Sequence, residues 1–294
     1  MVVLTSPSLR LHLEPAWGAG IVRFDWIENG SCVPLMRAYE PDTLSFGVPD
    51  PNRLACYPLV PWSNRISNGG FFIDGARIEV PRNRDDEPWP IHGTGWQRAW
   101  QVEYCSDSAA RLVLDEIGSG PHRYRATLHY TLRDNVFDVA LGATNRGDTP
   151  LPFGLGLHPF FLRHDGVLLT APASGVWLND GHTPLPASRA TVPPVWNFAH
   201  EADLPEGLNH GFEGWTGRAV IRWPHRGLRL ELAADADRYV VYTPAQEGFF
   251  CFEPVDHSID AMNLPGGALT NGMTLLAPEA SLQRRFSFRV FGEP

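Results

Sequence analysis

The sequence predicts an all-β fold, a large antiparallel sandwich, on three observations. Apolar and polar residues alternate with a period of two in one segment after another. Glycine (28) and proline (27) punctuate these segments, while hydrophobic residues at 43% argue for a folded chain and against disorder. No stretch carries an apolar stripe of period 3.6 and helical length. A chain of 294 residues buries roughly three quarters of its unfolded surface, so its core requires no disulfide or metal staple.

Taken in order, Leu9, Leu11 and Leu13 alternate with Arg10 and His12, and residues 18–26 continue as a second extended segment. Asn29-Gly30-Ser31 is formally a glycosylation sequon, but without a secretion signal it reads as a turn. Within 71–80, Asp74-Gly75 stands between Phe-Phe-Ile and Ala-Arg-Ile-Glu-Val. That is a two-residue hairpin signal. Strands are expected at 100–104, 111–115, 124–132 and 136–144, where Tyr124, Ala126, Leu128, Tyr130 and Leu132 share one face. Further strands are expected at 219–223, 228–232, 239–243, 249–253 and 285–291. Residues 184–205 are proline-rich and weakly periodic. They read as a long surface loop of a single domain spanning 1–294, with a linker between two domains as the alternative.

A formal charge of −9 without any basic run excludes a phosphate-tracking nucleic-acid surface. Cys32, Cys56, Cys105 and Cys251 show no C-x-x-C spacing, which suits reduced thiols rather than a zinc site or disulfide framework. The chain lacks a signal-like start and any membrane-length apolar run, so a soluble cytoplasmic protein is expected. It also lacks H-E-x-x-H, G-x-x-x-x-G-K, G-x-G-x-x-G and G-x-S-x-G. The simplest site therefore needs no metal and no cofactor, and draws acid and base from histidine and carboxylate.

Phe-Gly-Leu-Gly-Leu-His-Pro-Phe-Phe at 153–161 sets His158 in an apolar, glycine-rich run. Pro159 biases His158 to an extended backbone and is expected to end any regular element there. A buried histidine held by a backbone carbonyl and a chemically active one both fit this stretch. Glu253 follows an aromatic run, with Phe250 and Phe252 on one face and Phe249, Cys251 and Glu253 on the other. Apolar neighbours would raise its pKa toward that of a general base working near neutrality; a solvent-facing strand end is the alternative. Asn64 and Arg65 can offer donors and an acceptor to a polyol, and Trp62 a face to a sugar ring. Turn chemistry explains the same residues equally well, and His92 lies in a similar glycine-bracketed loop.

Four stretches together resemble the aldose 1-epimerase (galactose mutarotase) family in its bacterial branch. They are Val-Pro-Trp-Ser-Asn-Arg-Ile at 60–66, His-Gly-Thr-Gly-Trp at 92–96, Gly-Leu-His-Pro-Phe-Phe at 156–161 and Glu-Pro-Val-Asp-His-Ser-Ile-Asp-Ala-Met-Asn at 253–263. Gly-Arg-Ala at 217–219 and Val-Val-Tyr-Thr-Pro at 240–244 extend the resemblance. It implies a β-sandwich of the galactose mutarotase type (a supersandwich) with an open sugar cleft, and an isomerase acting on a free sugar as its small-molecule partner. By the same resemblance His158 is the general acid and Glu253 the general base, while Asn64, Arg65, His92 and Gln246 hold the sugar. The chain departs from the family at Leu208-Asn209-His210-Gly211-Phe212, where an aspartate is usual at position 209. An amide accepts at one atom and donates at the other, so hydroxyl selectivity at Asn209 is expected to differ.

Two other readings remain open. A hexose-6-phosphate 1-epimerase would need cations for the phosphate, for which Arg82, Arg84 and Arg98 are available. A sugar-binding protein without turnover would rely on Trp62 and Trp96. A monomer or a homodimer is equally compatible with the sequence, and neither nucleic acid nor membrane is an expected partner.

Overall fold

Alternation along the chain becomes alternation across two sheets. In the strand Leu9–Glu14 the three leucines are buried and the residues between them half-buried. In Tyr124–Arg133 the five apolar residues from Tyr124 to Leu132 are at most 2% exposed. These positions come from a computed structural model that describes residues 1–39, 50–118, 120–164 and 166–293.

Among the described residues, eleven strands form one sheet and nine another, and every strand pairing is antiparallel. The first sheet runs Val2–Thr5, Leu9–Glu14, Gly20–Glu28, Cys56–Leu59, Gly156–Leu162, Phe249–Val255, Arg238–Tyr242, Asn209–Glu213, Gly175–Leu178 and Ser188–Ala190. Ser31–Pro34 pairs with Gly20–Glu28 beside this path. The second runs Ala202–Asp203, Leu168–Thr170, Arg218–Trp223, Leu228–Ala234, Ser281–Gly292, Val136–Asn145, Tyr124–Arg133, Ala109–Glu116 and Gln101–Cys105. The α-helix among the described residues is the four-residue turn Gly267–Thr270, and no helix there is long and apolar enough to cross a membrane.

The two sheets face each other across an apolar core. Phe24 of the first packs on Phe137 of the second, ring centroids 5.2 Å apart, and Phe161 lies 6.5 Å from Phe288. Tyr130 donates its hydroxyl to Ala19 O at 2.9 Å, so its one polar atom is also satisfied. The Asp74-Gly75 hairpin joins Gly70–Ile73 to Ala76–Glu79, both turn residues having positive φ (48° and 79°). Asn29 and Gly30 do the same between Gly20–Glu28 and Ser31–Pro34. Two such residues in sequence match the right-handed twist of the strands they join.

Two expectations need correction. Residues 184–205 are not loop throughout: Ser188–Ala190 adds an edge strand to the first sheet and Ala202–Asp203 one to the second. Strands of two or three residues are too short to leave a periodic signature. Nor does Pro159 end a strand; Gly156–Leu162 runs straight through it. The adjoining strands carry Pro58 and Pro254, so three neighbouring central strands each lack one N–H donor. The pairing of Gly156–Leu162 with Cys56–Leu59 stays continuous, whereas that with Phe249–Val255 opens locally. Gly156 pairs with Val255 and Phe160 with Cys251, and the ladder is interrupted between those pairs.

Candidate active site

That interruption is where the titratable groups gather. The register on either side of it sets His158 opposite Glu253. His158 Nε2 and Glu253 Oε1 are 3.4 Å apart, with side chains 8% and 3% exposed. Alternation divides the two strands between two environments. Leu157, Phe161, Phe250 and Phe252 enter the core between the sheets, whereas Phe160, Cys251, Tyr57 and Val255 form a separate cluster on the outer face beside the pair. His158 stacks on Phe160 (4.5 Å, 16° between planes) and packs against Tyr57 (4.7 Å). It is therefore held on two sides by rings.

Two loops roof this face, and histidines latch them. Asn64 N–H donates to His92 Nδ1 (3.0 Å) while Asn64 O accepts from His92 N–H (2.9 Å). Since Nδ1 accepts, neutral His92 carries its proton on Nε2. One residue earlier, Ser63 N–H donates to His257 Nε2 (2.9 Å), and His257 Nδ1–H donates to Ser258 O (2.8 Å). Asn64 and His92 both adopt the left-handed region (φ 57° and 61°), uncommon outside glycine. Consecutive backbone N–H groups are thus each capped by an imidazole, which holds the turn that presents Asn64 and Arg65. Gly154 belongs to this packing, because a Cβ there would lie 2.0 Å from the His257 ring.

Arg65 clasps Glu87 through Nε (2.9 Å) and Nη2 (2.5 Å), a two-pronged pair that fixes the guanidinium plane. Arg37 lies with Cζ 3.8 Å over the Phe160 ring and 4.6 Å from that of Phe249, and donates through Nη2 to Asn52 O and Leu54 O. Arg84 is bound by Asp86 and Asp50.

Burial dominates the electrostatics. Glu253 is pushed up to about 8 by burial, with Arg65 opposing. His158 is pulled down to about 3 by burial and by the charges of Arg37 and Arg65. Burial, then His158 and Arg65, lowers His92 well below the usual imidazole range. Removal from water penalises the charged form of each group. At neutral pH the pair accordingly holds one proton, on the carboxyl group.

His158, Glu253, Asn64, Arg65, His92 and Asn209 all line one cavity of about 260 Å³. Gln246 does not join them: it is exposed on the turn between Arg238–Tyr242 and Phe249–Val255 (φ 62°) and is absent from the cavity wall. Trp62 is core, packed against His122 at 5.5 Å and 4% exposed. Trp96 reaches the wall, but its ring is stacked on Tyr57 and its indole N–H is bound to Gly93 O. Of the three arginines considered for a phosphate, only Arg84 lines the cavity; Arg98 pairs with Glu116 and Arg82 lies outside. Arg37 and Glu87 lie outside the motifs, and His257 lies within the 253–263 stretch without a role being legible there, because each acquires its place through contacts with distant segments. A wider groove of about 850 Å³ on the second sheet, lined by His129, Thr131 and Arg285 among others, has no buried carboxylate beside an imidazole.

Residues 15–289 match the model of a family described as aldose 1-epimerase. YphB of Escherichia coli K12, an uncharacterized protein, is 31% identical over 300 residues, covering 99% of both chains. A solved structure of a candidate aldose 1-epimerase from the same organism superposes with a TM-score of 0.88 at 30% identity, over 99% of this chain and 98% of that one. A galactose mutarotase-like protein of Clostridium acetobutylicum shares the fold at a TM-score of 0.82 and 17% identity, over 99% and 94% of the two chains.

Proposed function

Because the chain belongs to the aldose 1-epimerase family, we propose that it interconverts the α and β anomers of a free aldose, with Glu253 and His158 as its proton-transfer pair. One observation carries the reading. Two buried groups of opposite proton affinity, 3.4 Å apart, line a cavity of monosaccharide size beside the polar side chains of Asn64, Arg65, His92 and Asn209.

Anomerisation breaks the bond between C1 and the ring oxygen. Glu253 takes the C1 hydroxyl proton as the C1 carbonyl forms, and His158 delivers a proton to the departing ring oxygen. Rotation of the aldehyde by about half a turn and reversal of both transfers give the other anomer, each positioned transfer being worth about a hundred- to ten-thousand-fold. The ring-opened state leaves Glu253 protonated and His158 neutral, the arrangement that burial favours. Ring opening needs the opposite arrangement, an ionised Glu253 beside a protonated His158. Arg65 favours the ionised carboxylate, and sugar hydroxyls donating to it replace the lost water.

Polarimetry of freshly dissolved α-glucose or α-galactose tests the proposal. Accelerated mutarotation, abolished in Glu253→Gln and His158→Ala, is the expected result. Binding of the sugar without acceleration would instead support a sugar-binding protein. A rate on 6-phosphorylated sugar far above that on free sugar would redefine the substrate.

A further inference from the structure

The same strand register that pairs His158 with Glu253 brings a third group to them, and we infer that Cys251, Glu253 and His158 together bind one thiophilic divalent cation, such as zinc or cadmium. Cys251 and Glu253 are two apart on one strand and so share its outer face, while His158 faces them from the next strand. The thiol sulfur, a carboxylate oxygen and an imidazole nitrogen all lie within 4.8 Å of one another, and all three residues are buried. Zinc bonds of about 2.0–2.3 Å in a tetrahedron separate ligand atoms by roughly 3.3–3.7 Å. Closing the triangle therefore takes about 1 Å of side-chain movement.

A second observation points to a ligand here. Glu253 Oε2 is buried and has no hydrogen-bond partner among the described residues, a costly state for a polar atom. Sulfur, nitrogen and oxygen in one set select zinc or cadmium over magnesium or calcium, which take oxygen ligands. A fourth position would be filled by water, as in zinc sites with three protein ligands. On binding, Cys251 and Glu253 release their protons to solvent, and His158 contributes a nitrogen lone pair. Two ligand charges then balance the metal's two, offsetting the opposing fields of Arg37 and Arg65.

The ion would occupy the lone pairs that the proposed proton transfer uses, so it blocks turnover rather than assisting it. This consequence rests on the reading of the preceding subsection; the site itself does not.

Cadmium titration of the purified, metal-free protein, followed by the ultraviolet thiolate-to-metal charge-transfer band, tests the site. One equivalent per chain is expected, displaceable by zinc and by a chelator. The band should vanish in Cys251→Ser and persist in a variant that keeps Cys251 but has Cys32, Cys56 and Cys105 replaced by alanine. No band in the wild type, or a band that survives Cys251→Ser, overturns the site. Cadmium bound through Cys251 with mutarotation undiminished would uphold the site and count against the acid–base assignment.

Discussion

The two faces of the strands Gly156–Leu162 and Phe249–Val255 are buried to nearly the same degree and put that burial to opposite uses. Toward the second sheet, Phe161 and Phe250 pack with ring centroids 5.7 Å apart and Phe252 stacks on Tyr239 at 4.6 Å. Removing these rings from water stabilises the fold by about 1.5–3 kcal/mol each. On the other face the same exclusion of water falls on a carboxyl group and an imidazole, where it opposes charge and so raises one pKa and lowers the other. A single register thus yields a stabilising layer and one where proton affinities are displaced, separated by the thickness of a sheet.

The sharpest way to break this comparison is to disarm the outer face alone. Glu253→Gln and His158→Ala should each lower mutarotation by about a hundred- to ten-thousand-fold in polarimetry while the fold is retained. The first should also alter stability in a defined direction. A carboxyl raised from 4.5 to about 8 contributes fully below its ordinary pKa, and that contribution is lost as pH climbs to the folded value. Glu253→Gln should accordingly gain thermal stability over the wild type at about pH 9 and little at about pH 5, in paired melting curves.

Truncating the inner face should do the reverse. Phe161→Ala is expected to cost about 3–5 kcal/mol in urea denaturation. The activity of the molecules that remain folded should change far less than in Glu253→Gln.

A smaller effect is expected from pH. If the proposed pair works with a single proton, kcat/KM should decline above about pH 8 as that proton is lost, and the acid limb should lie near the value of about 3 set by His158. The profile reports the pair and not which partner holds the proton. A plateau continuing past pH 9 would show that Glu253 does not limit the rate.

The mildest change is Asn209→Asp. It adds a second acceptor at the cavity wall and should shift the ratio of rates on glucose and galactose several-fold, with little effect on melting temperature.

Legibility from sequence followed the same division. Tyr124–Arg133 and Leu9–Glu14 could be placed position by position, because the period of a strand is local. The strands that carry the site were harder to read, since Pro58, Pro159 and Pro254 disguise central strands as breaks. Motif resemblance nominated the site residues despite this, and all but Gln246 line the cavity. The roles of Arg37, Glu87 and His257 were not legible, although His257 falls within a motif: a guanidinium against Phe160, a carboxylate clasping Arg65 and an imidazole capping Ser63 are contacts between distant segments.

By itself the sequence determined which residues share a strand face and where the tight Asp74-Gly75 and Asn29-Gly30 turns fall, since both depend on neighbours along the backbone. Only the tertiary structure decided that Gly156 meets Val255 and Phe160 meets Cys251. That pairing joins segments far apart in the chain, and it brings His158 to Glu253 on a face shielded from water. Proton affinity depends on what surrounds a group in space, so the chemistry of the pair could be settled only there.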